Sequence, residues 1–171
     1  MNLIAAVDNE WGIGCQGELL YRIPDDMKFF KSTTINKIVV MGHSTLKSFP
    51  NAKPLKERVN IVMSKNKDLK IDGAIVCNDL DSALKEISRY NSDDIFIIGG
   101  QAIYELFLEH CEYAYVTKIN STRKADSYFP NLDNWEIVEK SETKYHDNIE
   151  YEFVKYKNPK APFERSCHRS D

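Results

Sequence analysis

The chain has 171 residues, 42% of them hydrophobic and 29% charged, which suits one buried core and leaves no apolar run long enough to span a bilayer. Its net charge of -3 excludes a generic nucleic-acid surface, which needs a surplus of Lys and Arg to neutralise phosphates. Cys15, Cys77, Cys111 and Cys167 are scattered without a CxxC pair, and the four histidines are equally dispersed. No metal site, redox dithiol or disulfide framework is indicated, and the expectation is a cytoplasmic protein with reduced thiols, no leader and no membrane segment.

NLIAAVD, from Asn2 to Asp8, is a contiguous apolar run of strand length, expected to be a central strand buried on both faces. NEWGIGCQGE follows, with Gly12, Gly14 and Gly17 among polar residues. It reads as a loop, either an ordinary surface connection or a lid over a site.

LLYRIPDDMKFFK, from Leu19 to Lys31, places two carboxylates just after Pro24. Proline suits the first turn of a helix, where its missing N–H costs nothing, and acids there are favoured by the helix dipole. At helical spacing Asp26 shares a stripe with Phe30 and lies beside Met27, while Asp25, Lys28 and Ser32 face water. A carboxylate among apolar side chains is costly unless paired, so it has a partner or a task. The alternative is two solvated first-turn charges with Phe30 packed in a core.

Lys37 to Gly42 reads as a second buried strand and His43 to Phe49 as a short helix, with Gly42 at the joint. Ser44 and Thr45 then either cap that helix or help its first turn to bind an anion. Val59 to Ser64 and Ala74 to Cys77 are strands, and Asp79 or Asp81 caps a helix with Leu80, Leu84 and Ile87 on one face. In DIFIIGGQAIYELFLEHC, from Asp94 to Cys111, an apolar strand meets a helix at Gly99 and Gly100. Two glycines there let backbone approach a ligand closely, and a diphosphate is the natural guest. Neither the spaced glycines of the Rossmann fingerprint nor the ending of the nucleotide P-loop is present.

Glu112 to Asn120 alternates as a strand, Ala125 to Leu132 reads as a loop, and WEIVEKSET with IEYEFVKYK form an antiparallel hairpin around HDN. Residues 158–171 lack periodicity and are expected to be a disordered tail. The fold class expected is α/β: a single domain over residues 1–157 with a mixed, mostly parallel sheet of about eight strands, helices on both faces and a C-terminal antiparallel hairpin. Ligands should bind where strand ends meet loops.

In order and spacing IAAVD, GIG, IPDDMKFFK, VVMGHSTLKSF, RVNIVMS, FIIGGQAIYE, VTKI and ADSYFP resemble bacterial dihydrofolate reductases, from about Met1 to Lys157. The resemblance implies NADPH-dependent reduction of 7,8-dihydrofolate to 5,6,7,8-tetrahydrofolate, with hydride reaching carbon 6 and a proton nitrogen 5, in one-carbon metabolism. It implies dihydrofolate and NADPH as partners, antifolates as inhibitors, no need for nucleic acid, and a monomer. Two other readings are a riboflavin-pathway reductase, for which Asp26 and Arg58 are less suited, and a nucleotide-binding module without catalysis.

The same resemblance implies the roles. Asp26 holds the pterin amino group and adjacent ring nitrogen, Thr117 hydrogen-bonds that acid, and Leu19 and Tyr21 complete the catalytic centre. Ile4, Ala5, Met27, Phe30, Phe49, Leu55 and Ile98 wall the folate site, Arg58 clamps the tail carboxylate, and Tyr104 stands beside the nicotinamide and pterin. Ala6 and Ile13 hold the carboxamide by backbone, and Gly14 to Leu20 form a mobile cover. Gly42, His43, Ser44 and Thr45 at one helix start, with Gly99, Gly100, Gln101, Ala102 and Ile103 at the other, take the diphosphate, and the Gly99-Gly100 peptide is expected to be cis. Ser64 and Lys65, assisted by His43, are the candidates for the 2′-phosphate. His43 and Ala102 stand where arginine occurs in the family, and Leu20 and Tyr21 where proline and tryptophan are usual, so a Tyr21 hydroxyl must replace an indole N–H. Water is favoured over Asp26 as the immediate proton donor.

Overall fold

Side chains of successive strand residues point to opposite faces, so a run apolar at every position signals a sheet covered on both sides. That is how the computed structural model, which describes residues 1–160, arranges this chain. In chain order its elements are β1 (Asn2–Val7), β2 (Gly12–Cys15), β3 (Glu18–Leu19), α1 (Pro24–Thr34), β4 (Ile38–Gly42), α2 (His43–Lys47), β5 (Val59–Met63), β6 (Ala74–Cys77), α3 (Leu80–Ile87), β7 (Ile95–Gly99), α4 (Gln101–Phe107), β8 (Tyr113–Ile119), β9 (Ser127–Tyr128), β10 (Glu136–Lys140), β11 (Lys144–His146) and β12 (Ile149–Lys157).

The main sheet runs β10-β12-β8-β1-β7-β4-β5-β6, with β11 also paired to β12. Its β8-β1-β7-β4-β5-β6 portion is parallel, and β12 is antiparallel to β8, β10 and β11. β1 is central, as its contiguous apolar run requires. On one face Leu3, Val7, Ile38, Val40, Ile95 and Ile97 pack with Ala83 and Ile87 of α3 and Tyr104 and Phe107 of α4. On the other, Val39, Met41 and Val62 pack with Leu46 of α2. α1 lies on this second face, where Phe29 stacks on Phe153 with ring centroids 4.6 Å apart. Asp79 accepts from the Ser82 N–H at 2.8 Å in a capping box, so Asp79 and not Asp81 starts α3.

Three local expectations change. The glycine-rich loop is a hairpin, because Gln16 (φ 51°) and Gly17 (φ 78°) supply the two positive φ angles of a tight turn between β2 and β3. β9, expected as loop, pairs with β2 to make a second sheet of three strands, β3-β2-β9. The C-terminal hairpin turns on Asp147 (φ 47°) and Asn148 (φ 65°), and its first arm breaks into β10 and β11 where the Ser141 Oγ accepts from the Phe153 N–H at 2.9 Å. Packing also continues to Asn158, which is buried and donates from its backbone to Glu112 O at 2.8 Å and from its side chain to Cys111 O at 3.0 Å. Residues 161–171 of the expected tail lie outside the described residues.

Asn60 on β5 is 2% exposed, and it ties the connection after α2 to the sheet. Its Oδ1 accepts from Leu55 N at 3.0 Å, and its Nδ2 donates to Leu55 O at 2.9 Å and Arg58 O at 3.1 Å. Asn60→Ala strands these backbone groups and is expected to cost ~1–3 kcal/mol. Urea unfolding checks this, and an unchanged midpoint would mean that the connection is held elsewhere.

Candidate active site

β1 pairs with β7 only at Asn2↔Phe96 and Leu3↔Ile97, whereas its pairing with β8 continues to Val7↔Lys118. Beyond Leu3 the sheet therefore splits, and a crevice opens at the carboxyl ends of parallel strands, where open α/β sheets bind ligands. Tyr104 of α4 spans the split, its hydroxyl donating to Ile4 O at 2.7 Å. Ile4 is buried, Thr117 lies opposite Ala6 in register, and Ile98 sits on the face covered by α2. Ala5 points to the opposite face, against the larger core.

α1 brings the acid to this crevice. Pro24 occupies its first turn and Ile23 precedes it without a side-chain cap, so Asp25 and Asp26 meet the open N-terminal end. The two acids part company. Asp25 is exposed and accepts from the Tyr151 hydroxyl at 3.0 Å, while Asp26 is partly buried and accepts from the Thr117 hydroxyl at 2.6 Å. Burial raises the Asp26 carboxyl above its ordinary value, the Thr117 hydrogen bond opposes that rise, and the charge of Asp25 adds to it. The solvated-acid alternative is thus removed for Asp26 and holds for Asp25.

Phe49 and Leu55 are partly buried against Val39, Met41, Val62 and Leu46 on the α2 face of the sheet, and Phe30 and Arg58 are partly buried as well. Met27 is 51% exposed and Leu19, on the lid hairpin, 59% exposed, so neither is packed inside the protein. Two buried side-chain polar atoms lack a hydrogen-bond partner among the described residues, the Tyr21 hydroxyl and the Arg58 Nε. A buried donor without a partner is costly and calls for a ligand or water to complete it.

The two glycine junctions converge beside the crevice. α2 and α4 follow Gly42 and Gly100 with no side-chain cap on either, so Ser44 and Thr45 do not cap α2; in α4 the Ile103 N–H already donates to Gly100 O at 3.0 Å, which leaves the N–H groups of Gln101 and Ala102 as the ones without a side-chain cap. A Cβ on Gly42 would stand 3.1 Å from Ile103 Cγ1, and one on Gly99, at φ +119°, 3.2 Å from the Tyr104 ring. A Cβ on Gly100 would instead meet only Thr45 Oγ1, at 3.7 Å, which leaves a cradle between the helix starts. The Gly99-Gly100 peptide is cis, as expected.

Several expected residues are engaged elsewhere or lie at the rim. Gln101 accepts from the Tyr128 N–H at 2.9 Å and so joins α4 to the lid sheet. Ser64 Oγ accepts from Asn66 N at 3.2 Å at the end of β5, Lys65 and Ala102 are exposed, and His43 is partly buried. Ile13 and Gly14 form the inner lid strand, with Ile13 O accepting from Leu20 N at 3.4 Å. Sequence reading missed Tyr151 and Arg123, which touch Asp25 and Tyr21 from 126 residues away and over a 4.1 Å ring contact respectively. No local signal marks either, because both contacts come from chain folding back.

A split parallel sheet, a half-buried acid beside the split and paired helix starts without side-chain caps define a single-domain α/β protein with a ligand site at the carboxyl ends of its strands. The model of the family described as dihydrofolate reductase matches residues 1–158. A dihydrofolate reductase of Staphylococcus haemolyticus is 32% identical over 81% of this chain and 82% of its own length. One of Buchnera aphidicola is 38% identical over 76% of this chain and 78% of its own. A solved dihydrofolate reductase of Enterococcus faecalis, complexed with NADP(H) and RAB-propyl, superposes with a TM-score of 0.81 at 28% identity, covering 91% of this chain and 94% of that one. The chain belongs to the dihydrofolate reductase family, which sets aside the riboflavin-pathway alternative.

Because burial raises the Asp26 carboxyl, the folded state holds its proton to higher pH than the unfolded chain does. Stability due to this group is complete below its unfolded value of 3.8 and is lost as pH rises through the folded one. The stability of Asp26→Asn minus that of wild type is therefore expected to grow with pH across that window and then level off. Urea titrations of both proteins from pH 3 to 8 check the sign, and a difference that shrinks with pH contradicts it.

Proposed function

We propose that Asp26, set beneath the β1/β7 split and held by Thr117, is the group around which this chain reduces 7,8-dihydrofolate to 5,6,7,8-tetrahydrofolate with NADPH. The observation that carries the reading is a carboxylate, desolvated by burial, whose one side-chain donor among the described residues is the Thr117 hydroxyl. Asp26 then has acceptor capacity left for the pterin amino group and its neighbouring ring nitrogen, two parallel charge-assisted bonds that orient a flat ring. Its negative charge also favours positive charge developing on the pterin in the transition state.

The rest of the site serves that ring. Ile4, Met27, Phe30, Phe49, Leu55 and Ile98 exclude water along it, Ala5 and Leu19 supply backbone and rim, and the unpartnered Arg58 Nε receives the carboxylate of the substrate tail. Tyr104 stands at the split between pterin and nicotinamide. The unpartnered Tyr21 hydroxyl holds a water that delivers the proton to nitrogen 5.

The residues present fit a dinucleotide. Gly42, His43, Ser44 and Thr45 face Gly99, Gly100, Gln101, Ala102 and Ile103 across the space beside Gly100, where a Cβ would meet only Thr45 Oγ1, and both helix starts lack side-chain caps, so their first backbone N–H groups can take the diphosphate. Ala6 and Ile13 hold the carboxamide by backbone and Gly14 lies in the strand that covers it, while Ser64, Lys65 and His43 supply donors and charge for the 2′-phosphate. When bound, NADPH supplies the hydride that goes to carbon 6.

Both halves of the site come from one chain, which suits a monomer. The unpaired Cys15, Cys77 and Cys111 suit a reducing cytoplasm, and no helix among the described residues is long and apolar enough to cross a membrane. Antifolates that present a protonated amino-heterocycle to Asp26 are expected to inhibit.

Asp26→Asn removes the charge and is expected to lower kcat at pH 7 by about 30- to 5,000-fold, the equivalent of ~2–5 kcal/mol. The assay follows NADPH absorbance with dihydrofolate, and near-normal turnover would sink the assignment. Arg58→Leu acts far from the reacting atoms, so its expected effect is a KM for dihydrofolate raised about 10- to 100-fold with kcat nearly kept. A normal KM in that variant would free Arg58 of its role.

A further inference from the structure

Arg123 lies in the connection between β8 and β9 and has none of the roles above. Its backbone N–H donates to Asp8 Oδ2 at 3.2 Å, while Asp8 Oδ1 accepts from Glu10 N at 2.9 Å and Gly12 N at 2.8 Å. Asp8 is 1% exposed, so residue 123 is pinned to the end of β1. From that anchor the side chain reaches the segment joining the lid hairpin to α1. Nη1 donates to Leu20 O, and the guanidinium carbon stands 4.1 Å from the centroid of the Tyr21 ring.

The lid's own hold on this segment is weak. β3 is two exposed residues long, and the bond from Leu20 N to Ile13 O is 3.4 Å. Inward, Tyr21 packs with Ile23, Ile119 and Tyr151 in a small cluster separate from the main core. Arg123 closes that cluster from outside, since a planar guanidinium can lie flat on a ring and donate in its own plane from its edge, a geometry that an ammonium does not reproduce.

We propose that Arg123 is a positioning residue: by clamping Leu20 and Tyr21 from outside, it holds the Tyr21 hydroxyl in one place through the chemical step. This rests on the reductase reading, in which that hydroxyl holds the water that serves nitrogen 5. A contact that mattered only to folding would change stability and leave the rate of hydride transfer alone.

The test starts with wild type, whose oxidation of NADPH by dihydrofolate establishes the reading itself. Arg123→Met keeps the stem and removes charge and donors, and Arg123→Lys keeps the charge without the plane. Single-turnover hydride transfer is measured with NADPH and with NADPH deuterated at the transferred position, alongside hydrogen exchange of residues 19–23. Expected for Arg123→Met are a transfer rate lower by about tenfold, a larger isotope effect on kcat, a KM for dihydrofolate that moves less than kcat, and faster exchange in the segment. Arg123→Lys should recover only part of the rate. In a Tyr21→Leu background Arg123→Met should cost less than about twofold, because residues acting as one unit are not additive.

A full transfer rate in Arg123→Met with wild type active overturns the clamp alone, as does an equal loss in both backgrounds. If Arg123→Met does not fold, Arg123→Lys decides, and a wild-type rate there overturns the proposal. A wild type that fails to oxidise NADPH overturns both readings.

Discussion

The hydrogen bond from Thr117 to Asp26 joins β8 to the first turn of α1 across 91 residues of chain, and the site exists because of it. An isolated carboxylate taken out of water tends to neutralise itself or to be expelled. Here one hydroxyl offsets part of the desolvation, so the acid stays at the crevice with its other acceptor positions open. The helix dipole and Pro24 fix where α1 starts, and Tyr151 draws Asp25 the opposite way. Two adjacent identical side chains thereby acquire different environments and different work.

The sheet prepares that position. β1 is paired on both sides at Asn2 and Leu3 and on one side only from Ile4 onward, so the backbone next to the acid is freed from one ladder. Tyr104 repairs part of the loss by donating to Ile4 O, and Gly99 admits its ring where a Cβ would stand at 3.2 Å. Helix starts without side-chain caps then border the same gap. No side-chain cap has to be displaced for a polar ligand to meet these helix starts.

The small sheet β3-β2-β9 is held by a few ties to its neighbours. Asp126 accepts from Gln16 N at 2.8 Å and donates from its backbone to Gly14 O at 3.0 Å, and Gln101 accepts from Tyr128 N. These ties grip the hairpin tip and its partner strand, and Arg123 grips its exit. A sheet tethered at so few points is only loosely coupled to the main core.

The sequence by itself determined the central strands, the α1 start at Pro24, the two glycine junctions and the inward stripe carrying Asp26, because each rests on residue periodicity or on the backbone limits of Pro and Gly. It also carried enough ordered motifs to point to the family. Only the tertiary structure decided that the glycine-rich loop is a hairpin, that its third strand comes from Ser127–Tyr128, and that Tyr151 and Arg123 stand beside Asp25 and Tyr21. The hairpin is a local turn, but the other features are contacts between segments more than 100 residues apart, and strands of two to four residues bury too little to impose a pattern on their own sequence. Pairing between distant segments is a property of the folded chain, so no window along the sequence contains it.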